Sequence, residues 1–262
     1  MNMRSPKEHL DTLSRFPILF ECFENYVAWV CEHCDDNLAN YDLIRVLEDK
    51  DSVALLELDK RLAQAREILG ITLKDFCRLF GFNDDLLAPE PEKIHDILAE
   101  PYFVLDLAAQ SFSSIKKLPH SIVTDGKKTP VCDFTALLGT EKFAIEVKTI
   151  RIESWAEDGK LLGNASKPYW WGDMFKSNVI TKIEDKKHRV LKQLSNAKQH
   201  FRCTKQMLAI YSRRLGPSTL MTPANYSKEL EAIQQLYPSL DYLACKDYGG
   251  VLVFYPAIQN VS

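Results

Sequence analysis

Asp133, Glu146 and Lys148 are the residues of this chain whose types and spacing best suit chemistry, and the dipeptide Gly139-Thr140 lies midway between the two acids. Two-residue hairpin turns of type II′ favour Gly at their first position, so Leu138 and Glu141 are expected to flank the turn. Counting outward in pairs sets Asp133 opposite Glu146, and a one-residue slip would turn Asp133 into the apolar face. Alternation gives one apolar face with Cys132, Phe134, Ala136, Leu138, Phe143, Ile145 and Val147. The other face carries Asp133, Thr135, Ala144, Glu146 and Lys148, so the two carboxylates point away from the apolar side. Carboxylates opposed across a hairpin stand about 5 Å apart at Cβ and repel unless positive charge sits between them. A hard divalent cation such as Mg²⁺ resolves that repulsion, because it takes oxygen ligands and keeps several waters. Lys148, on the same face, is placed to orient or help deprotonate an attacking water, or to stabilise charge on a phosphoryl group. The plainer reading is a solvated polar face with an ordinary Glu–Lys pair. Against it, a long central strand between helices is covered on both faces, where such a cluster is costly without a purpose.

The elements that must position these residues follow from periodicity. In the first hundred residues apolar positions recur at spacings of three and four, from Phe16 to Val27, at Leu43, Val46 and Leu47, and from Leu55 to Ile68 before Gly70. Thr72 is expected to cap a short helix through Phe80, closed by Gly81. Pro91 to about Ala99 forms the next helix, and Pro101 fits the first turn of a further one through about Lys117. From Ser121 the period changes to two: a strand to Thr124, a turn at Asp125-Gly126, then Val131 to Leu138 and Lys142 to Ile150. A long segment with Trp155, Trp170 and Trp171 precedes one basic helix from about Asn178 to Arg202. A strand (Gln206 to Tyr211), a helix (Tyr226 to Leu236) and a closing strand (Gly250 to Tyr255) complete an α/β order with a mixed sheet flanked by helices. The expected division is a helical region over residues 1–98 and an α/β domain over 99–262.

Charge divides the chain in a similar place. Residues 1–100 carry 11 Lys/Arg against 21 Asp/Glu, and the remainder 22 against 15, within a total of -3. The second part, with eleven basic residues from Lys176 to Arg214, has the density of a phosphate-backbone contact, although a solvated helix face has the same composition. Lys182, Lys186, Arg189 and Gln193, at spacings of four, three and four, form a continuous stripe on one helix. Trp170 and Trp171 are candidates to stack on bases, or else to anchor the loop on the core. Seven cysteines at irregular spacing and a start punctuated by Glu8, Asp11, Glu21 and Glu24 suit a cytoplasmic protein without a membrane span.

The stretch Pro130-Val-Cys-Asp133, twelve intervening residues, then Glu146-Val-Lys148 resembles the PD-(D/E)XK nuclease superfamily, whose fold is restriction-endonuclease-like. That pattern has an Asp at the start of the second core strand and Glu-x-Lys in the third, with a helix before and a helix plus strand after. One departure is that Pro130 stands three residues before Asp133 rather than next to it. The resemblance implies a Mg²⁺-dependent nuclease, with Mn²⁺ able to substitute, hydrolysing phosphodiester bonds in DNA rather than RNA. It implies Asp133, Glu146 and the Val147 carbonyl as metal ligands, Lys148 as the aid to the attacking water, and Gln193 as a polar residue from the following helix. Glu100 and Asp106 are its candidates for an additional acid, and Lys198 is the weaker alternative to Gln193. The N-terminal helices would then serve regulation, homodimerisation or docking of a protein partner. The rival expectation is a catalytically inactive nuclease-fold subunit that binds or scaffolds within a larger DNA-processing or defence complex.

Other signals lose to simpler explanations. Cys31-Glu-His-Cys34 resembles half a zinc site but has no second pair at suitable spacing. Leu69 to Gly81 has a helix-turn-helix rhythm, but its surroundings are acidic. No Gly-rich phosphate cradle is present, which argues against ATP hydrolysis by this chain.

Overall fold

The structure, a computed structural model, describes residues 6–33, 42–48, 52–82, 93–124, 126–152, 171–185, 189–214, 226–247 and 252–258. It divides into two compact units, Met1–Gln110 and Ser111–Ser262, a boundary twelve residues later than expected.

The first unit is helical: α1 (Pro6–Leu13), α2 (Pro17–His33), α3 (Asp42–Glu48), α4 (Ser52–Leu69), α5 (Leu73–Phe80) and α6 (Lys93–Ala109). Asp59 of α4 caps α2 by accepting from the backbone N–H groups of Ile18 and Leu19, each at 2.9 Å. Thr72 caps α5 through the Asp75 N–H, and Gly81 ends it at φ +69°, both as the sequence predicts. The two helices expected around Pro101 are instead one. Pro101 sits inside α6, where it removes a backbone hydrogen bond at a cost of about 3 kcal/mol. Ile94, Ile97, Leu98, Val104 and Leu107 are buried on both sides of it, and that continuous apolar stripe outweighs the break.

The second unit is built on a six-stranded sheet, its strands being β1 (Ser113–Lys117), β4 (Phe134–Leu138), β5 (Glu141–Ile152), β6 (Lys205–Arg214), β7 (Tyr242–Asp247) and β8 (Val253–Tyr255), in that spatial order. A separate two-stranded ribbon, β2 (Ser121–Thr124) and β3 (Lys127–Pro130), is inserted between β1 and β4. Helices α7 (Trp171–Glu184) and α8 (Val190–Phe201) lie between β5 and β6 in the chain, and α9 (Ser227–Leu236) between β6 and β7. Strands β5, β6 and β7 run parallel and the other pairings in this sheet are antiparallel, as such helical crossovers require. The architecture is α/β with a mixed sheet flanked by helices.

In the second unit several elements depart from the sequence reading, among them β3, which forms before the strand expected from Val131, and β4, which begins only at Phe134. Where a helix was expected to run to Lys117, residues 113–117 form β1, paired with β4 through a bulge between Ser113 and Lys116. Ser114, within that bulge, adopts φ +49°. Strand β7 was not anticipated, because Leu243, Ala244 and Cys245 are all buried and no alternation marks it. The single basic helix is two helices, interrupted before Arg189, which stands at the head of α8 with φ +45°.

The β4–β5 hairpin follows the predicted register: Leu138 pairs with Glu141 and Phe134 with Ile145, around a turn in which Gly139 takes φ +58°. The plainer reading of a solvated polar face does not hold, and the strand is covered on both faces, as its central position between helices predicts. Thr135, Ala144 and Glu146 are buried as completely as Phe134, Phe143 and Ile145, because α7 and α8 pack on β5. Cys132 also changes sides, joining the cluster of Ala144, Val179 and Leu194, because extended structure starts only at Phe134.

The positive φ at Gly139 gives a direct check on this register. Gly139→Ala places a Cβ in the left-handed region and is expected to destabilise the fold by about 1–2 kcal/mol. A lower urea midpoint with unchanged slope is the expected result. An unchanged midpoint removes the turn as the device that sets the pairing.

Candidate functional site

Asp133 lies one residue beyond the last ladder pair of β4, where its side chain is free of strand geometry but held by its neighbours. Its Oδ2 accepts from the Val147 N–H at 2.8 Å, and its Oδ1 accepts from Lys117 Nζ at 3.2 Å. Its own carbonyl accepts from the Leu118 N–H at 2.8 Å, closing the segment against the end of β1. Glu146, one residue earlier on β5, is fully buried and ion-paired with Lys148 Nζ. The Val147 N–H and C=O point to the same side of the strand, so its peptide is turned towards Asp133, where the β4 ladder has ended.

Asp133, Glu146, Val147 and Lys148 are therefore brought together as predicted. Lys117 completes the group and is the member that sequence reasoning missed. Its side chain is 1% exposed, and its ammonium also lies 5.0 Å from the centre of the Phe134 ring. Two carboxylates thus face two ammonium groups. Lys148, at 18% side-chain exposure, is the most accessible of the four.

Burial and mutual repulsion push the two carboxyls apart in acidity. Burial acts to raise Asp133, but Lys117, Lys148 and the Val147 N–H together hold it below its ordinary value. Glu146 is pushed up to about 8 by burial and by the Asp133 charge, with Lys148 opposing. Of the two, Glu146 is the acid that takes up a proton more readily. Cys132, two residues from the ribbon, is no nucleophile: burial, Glu146 and Asp133 all push its thiol up.

The donors suit a hard divalent cation. They are all oxygens, namely two carboxylates and the turned Val147 carbonyl, and the proton held by Glu146 is one that a cation would displace. Among the described residues no group of three or more His, Cys, Asp or Glu side chains gathers at one point, so waters would complete the shell.

Gln193 Nε2 donates to the Val131 carbonyl at 3.4 Å, and Asn196 Nδ2 donates to the Pro130 carbonyl at 2.8 Å. Both side chains tie α8 to the segment that delivers Asp133. Lys198 pairs with Asp241 at 3.7 Å instead. Lys182 lies on α7 and Arg189 at the head of α8, so the continuous helical stripe is broken between them; Lys186 falls outside the described residues. Trp170 lies outside them too, and Trp171 is described only as the first residue of α7. Glu100 and Asp106 belong to α6 in the first unit. No helix among the described residues is long and apolar enough to cross a membrane. No protein-family model, curated protein or solved structure matches the chain.

Two measurements probe this charge balance. Removing one partner of a buried pair leaves the other uncompensated, so Lys117→Met is expected to cost about 3–5 kcal/mol at pH 7. Adding Asp133→Asn should return much of that loss in urea titrations, whereas additive losses would mean that the two side chains act separately.

The second measurement is pH dependence in the presence of a chelator. Glu146 rises from 4.5 to about 8 on folding, so the folded state binds more protons between those values and stability falls as pH rises through them. Glu146→Gln removes that slope. Its melting temperature relative to wild type should therefore climb from pH 5 to pH 8, by about 2–4 °C per kcal/mol. A constant difference would place no proton on Glu146.

Proposed function

We propose that the second unit has a restriction-endonuclease-like core and acts as a Mg²⁺-dependent nuclease on DNA, with Mn²⁺ able to substitute. The observation that carries this reading is the convergence of Asp133, Glu146 and Lys148 on one nearly closed point, with the Val147 backbone beside them. The strand order is consistent with it. Within the main sheet β4 is the second strand in sequence and follows Asp133, and β5 is the third and carries Glu146-Val147-Lys148.

In this reading Asp133, Glu146 and the Val147 carbonyl hold the cation, which when bound lowers the pKa of a coordinated water and neutralises phosphoryl charge. Lys117 keeps Asp133 ionised and fixed in direction. Lys148, at the exposed edge of the cluster, orients the attacking water and faces the developing negative charge. Burial of the group excludes bulk water, so each of these charges acts more strongly than it would in solution. Gln193 and Asn196 position Asp133 indirectly, by holding the backbone of residues 130–131 against α8.

A second reading has its own support. Lys117 and Lys148 already balance the two carboxylates, so the cluster is complete as a buried ion-pair network and suits an inactive binding or scaffold subunit.

Incubation with circular and linear DNA and with RNA, in Mg²⁺, Mn²⁺ or EDTA, separates the two. Cation-dependent DNA cleavage, reduced about 100-fold or more by Asp133→Asn, Glu146→Gln and Lys148→Met, is the expected result. Melting curves accompany each variant, and loss of cleavage counts only for variants that remain folded. Cleavage at wild-type rate in any of the three would remove that residue from the site. No cleavage in any cation would favour the inactive subunit.

A further inference from the structure

The ribbon formed by β2 and β3 is not part of the main sheet, and nothing in the proposed chemistry uses it. Its pairing, Ser121↔Pro130 through Thr124↔Lys127, fixes which side chains share a face. Ile122 packs on the core cluster of the unit, so the Ile122–Thr129 face is turned inward. The opposite face carries Val123, which is 69% exposed, directly across from exposed Lys128. Lys127, beside the turn, is exposed as well, and alternation sends it to the face opposite Lys128, so the two lysines leave the ribbon on its two sides. The base of the ribbon is clamped to α8 through Asn196 and Gln193, and exposed Arg189 stands at the N-terminal end of that helix.

From these placements we infer that the β2–β3 ribbon, with Arg189 at its base, is a docking surface for duplex B-form DNA, entering the major groove with Lys127 and Lys128 on the phosphates. The inference rests on the nuclease reading and adds to it the form of the substrate. Two antiparallel strands match the width of that groove, about 12 Å, whereas the major groove of an RNA duplex is too deep and narrow to admit them. A single strand would call for aromatic stacking platforms, and the ribbon has none in residues 121–130. Charge complementarity supports the same partner: Lys127 and Lys128 follow the turn, against one acid in residues 121–130, Asp125, which lies outside the described residues.

The connection to the site is short. Lys127 is six residues from Asp133, at most about 20 Å of extended chain. A strand of B-DNA advances about 3.4 Å per nucleotide, so the tip would meet the backbone within about six nucleotides of the phosphate at the acids.

The test is binding rather than cleavage. Wild type and Lys127→Ala/Lys128→Ala are titrated in EDTA against labelled DNA duplex, single-stranded DNA and RNA duplex of one length, about 20 nucleotides, over a range of salt. The expected result is preference for the DNA duplex, with the log–log salt slope of the variant flatter by about 1.8 for two lost phosphate contacts. Both lysines are exposed, so the melting temperature should stay put. An unchanged slope, equal or tighter binding of single strands or RNA duplex, or no binding by wild type overturns the docking surface. Loss of the nuclease reading would look different: lysine-dependent duplex binding would persist while no cation supported cleavage.

Discussion

Two carboxylates are tolerated in a closed pocket only while their charge is cancelled, and the second unit is arranged around that requirement. Asp133 and Glu146 lie at the end of the β4–β5 ladder under α7 and α8, where an uncompensated charge would cost several kcal/mol. The compensation comes from both neighbours in the chain path. Lys148 arrives on the same strand as Glu146, two residues on, and Lys117 arrives from β1. The bulge at Ser113–Lys116 matters here, because an extra residue in β1 shifts the pairing and sets Lys117, rather than Lys116, beside Asp133.

Cancellation by two lysines is not symmetrical, and that asymmetry is what could make the cluster chemically useful. Asp133 has an ammonium and a backbone N–H directed at separate oxygens, so it stays ionised. Glu146 has Lys148 but also faces the Asp133 charge, so it keeps a proton to about pH 8. A buried group with one firmly held anion and one acid of raised pKa is the arrangement from which a cation, on the proposed reading, would displace a proton.

How much of this was legible depended on whether a signal was local. The β4–β5 register followed from one glycine at the turn and the alternation on either side, and the pairing of Phe134 with Ile145 agrees with it. Helix α5 was equally plain, since Thr72 and Gly81 mark both its ends. β1 was hidden by its own bulge: Phe112, Ile115 and Leu118 are all buried at spacings of three, which reads as a helix. Lys117 was lost with it, because an inward lysine carries no apolar signature. Alternation alone could not tell that the polar face was covered; the position of a long central strand between helices did, and α7 and α8 return over β5 from more than twenty residues away. The break before Arg189 had no proline or glycine to announce it.

The split in charge along the chain now has structural content in each unit separately. The first unit has its own aromatic core, in which Phe23, Phe76, Phe80 and Phe82 pack ring against ring. A net of ten negative charges on residues 1–100 would be repelled by a phosphate backbone. Basic residues on the second unit are placed where they can matter, on a ribbon whose base is hydrogen-bonded to the helix that also fixes Asp133. Val131 and Pro130 are thus shared between a surface device and a buried one. The backbone of residues 130–133 is held at the Pro130, Val131 and Asp133 carbonyls, so one short segment both anchors the base of the ribbon and presents Asp133 to Lys117 and the Val147 N–H.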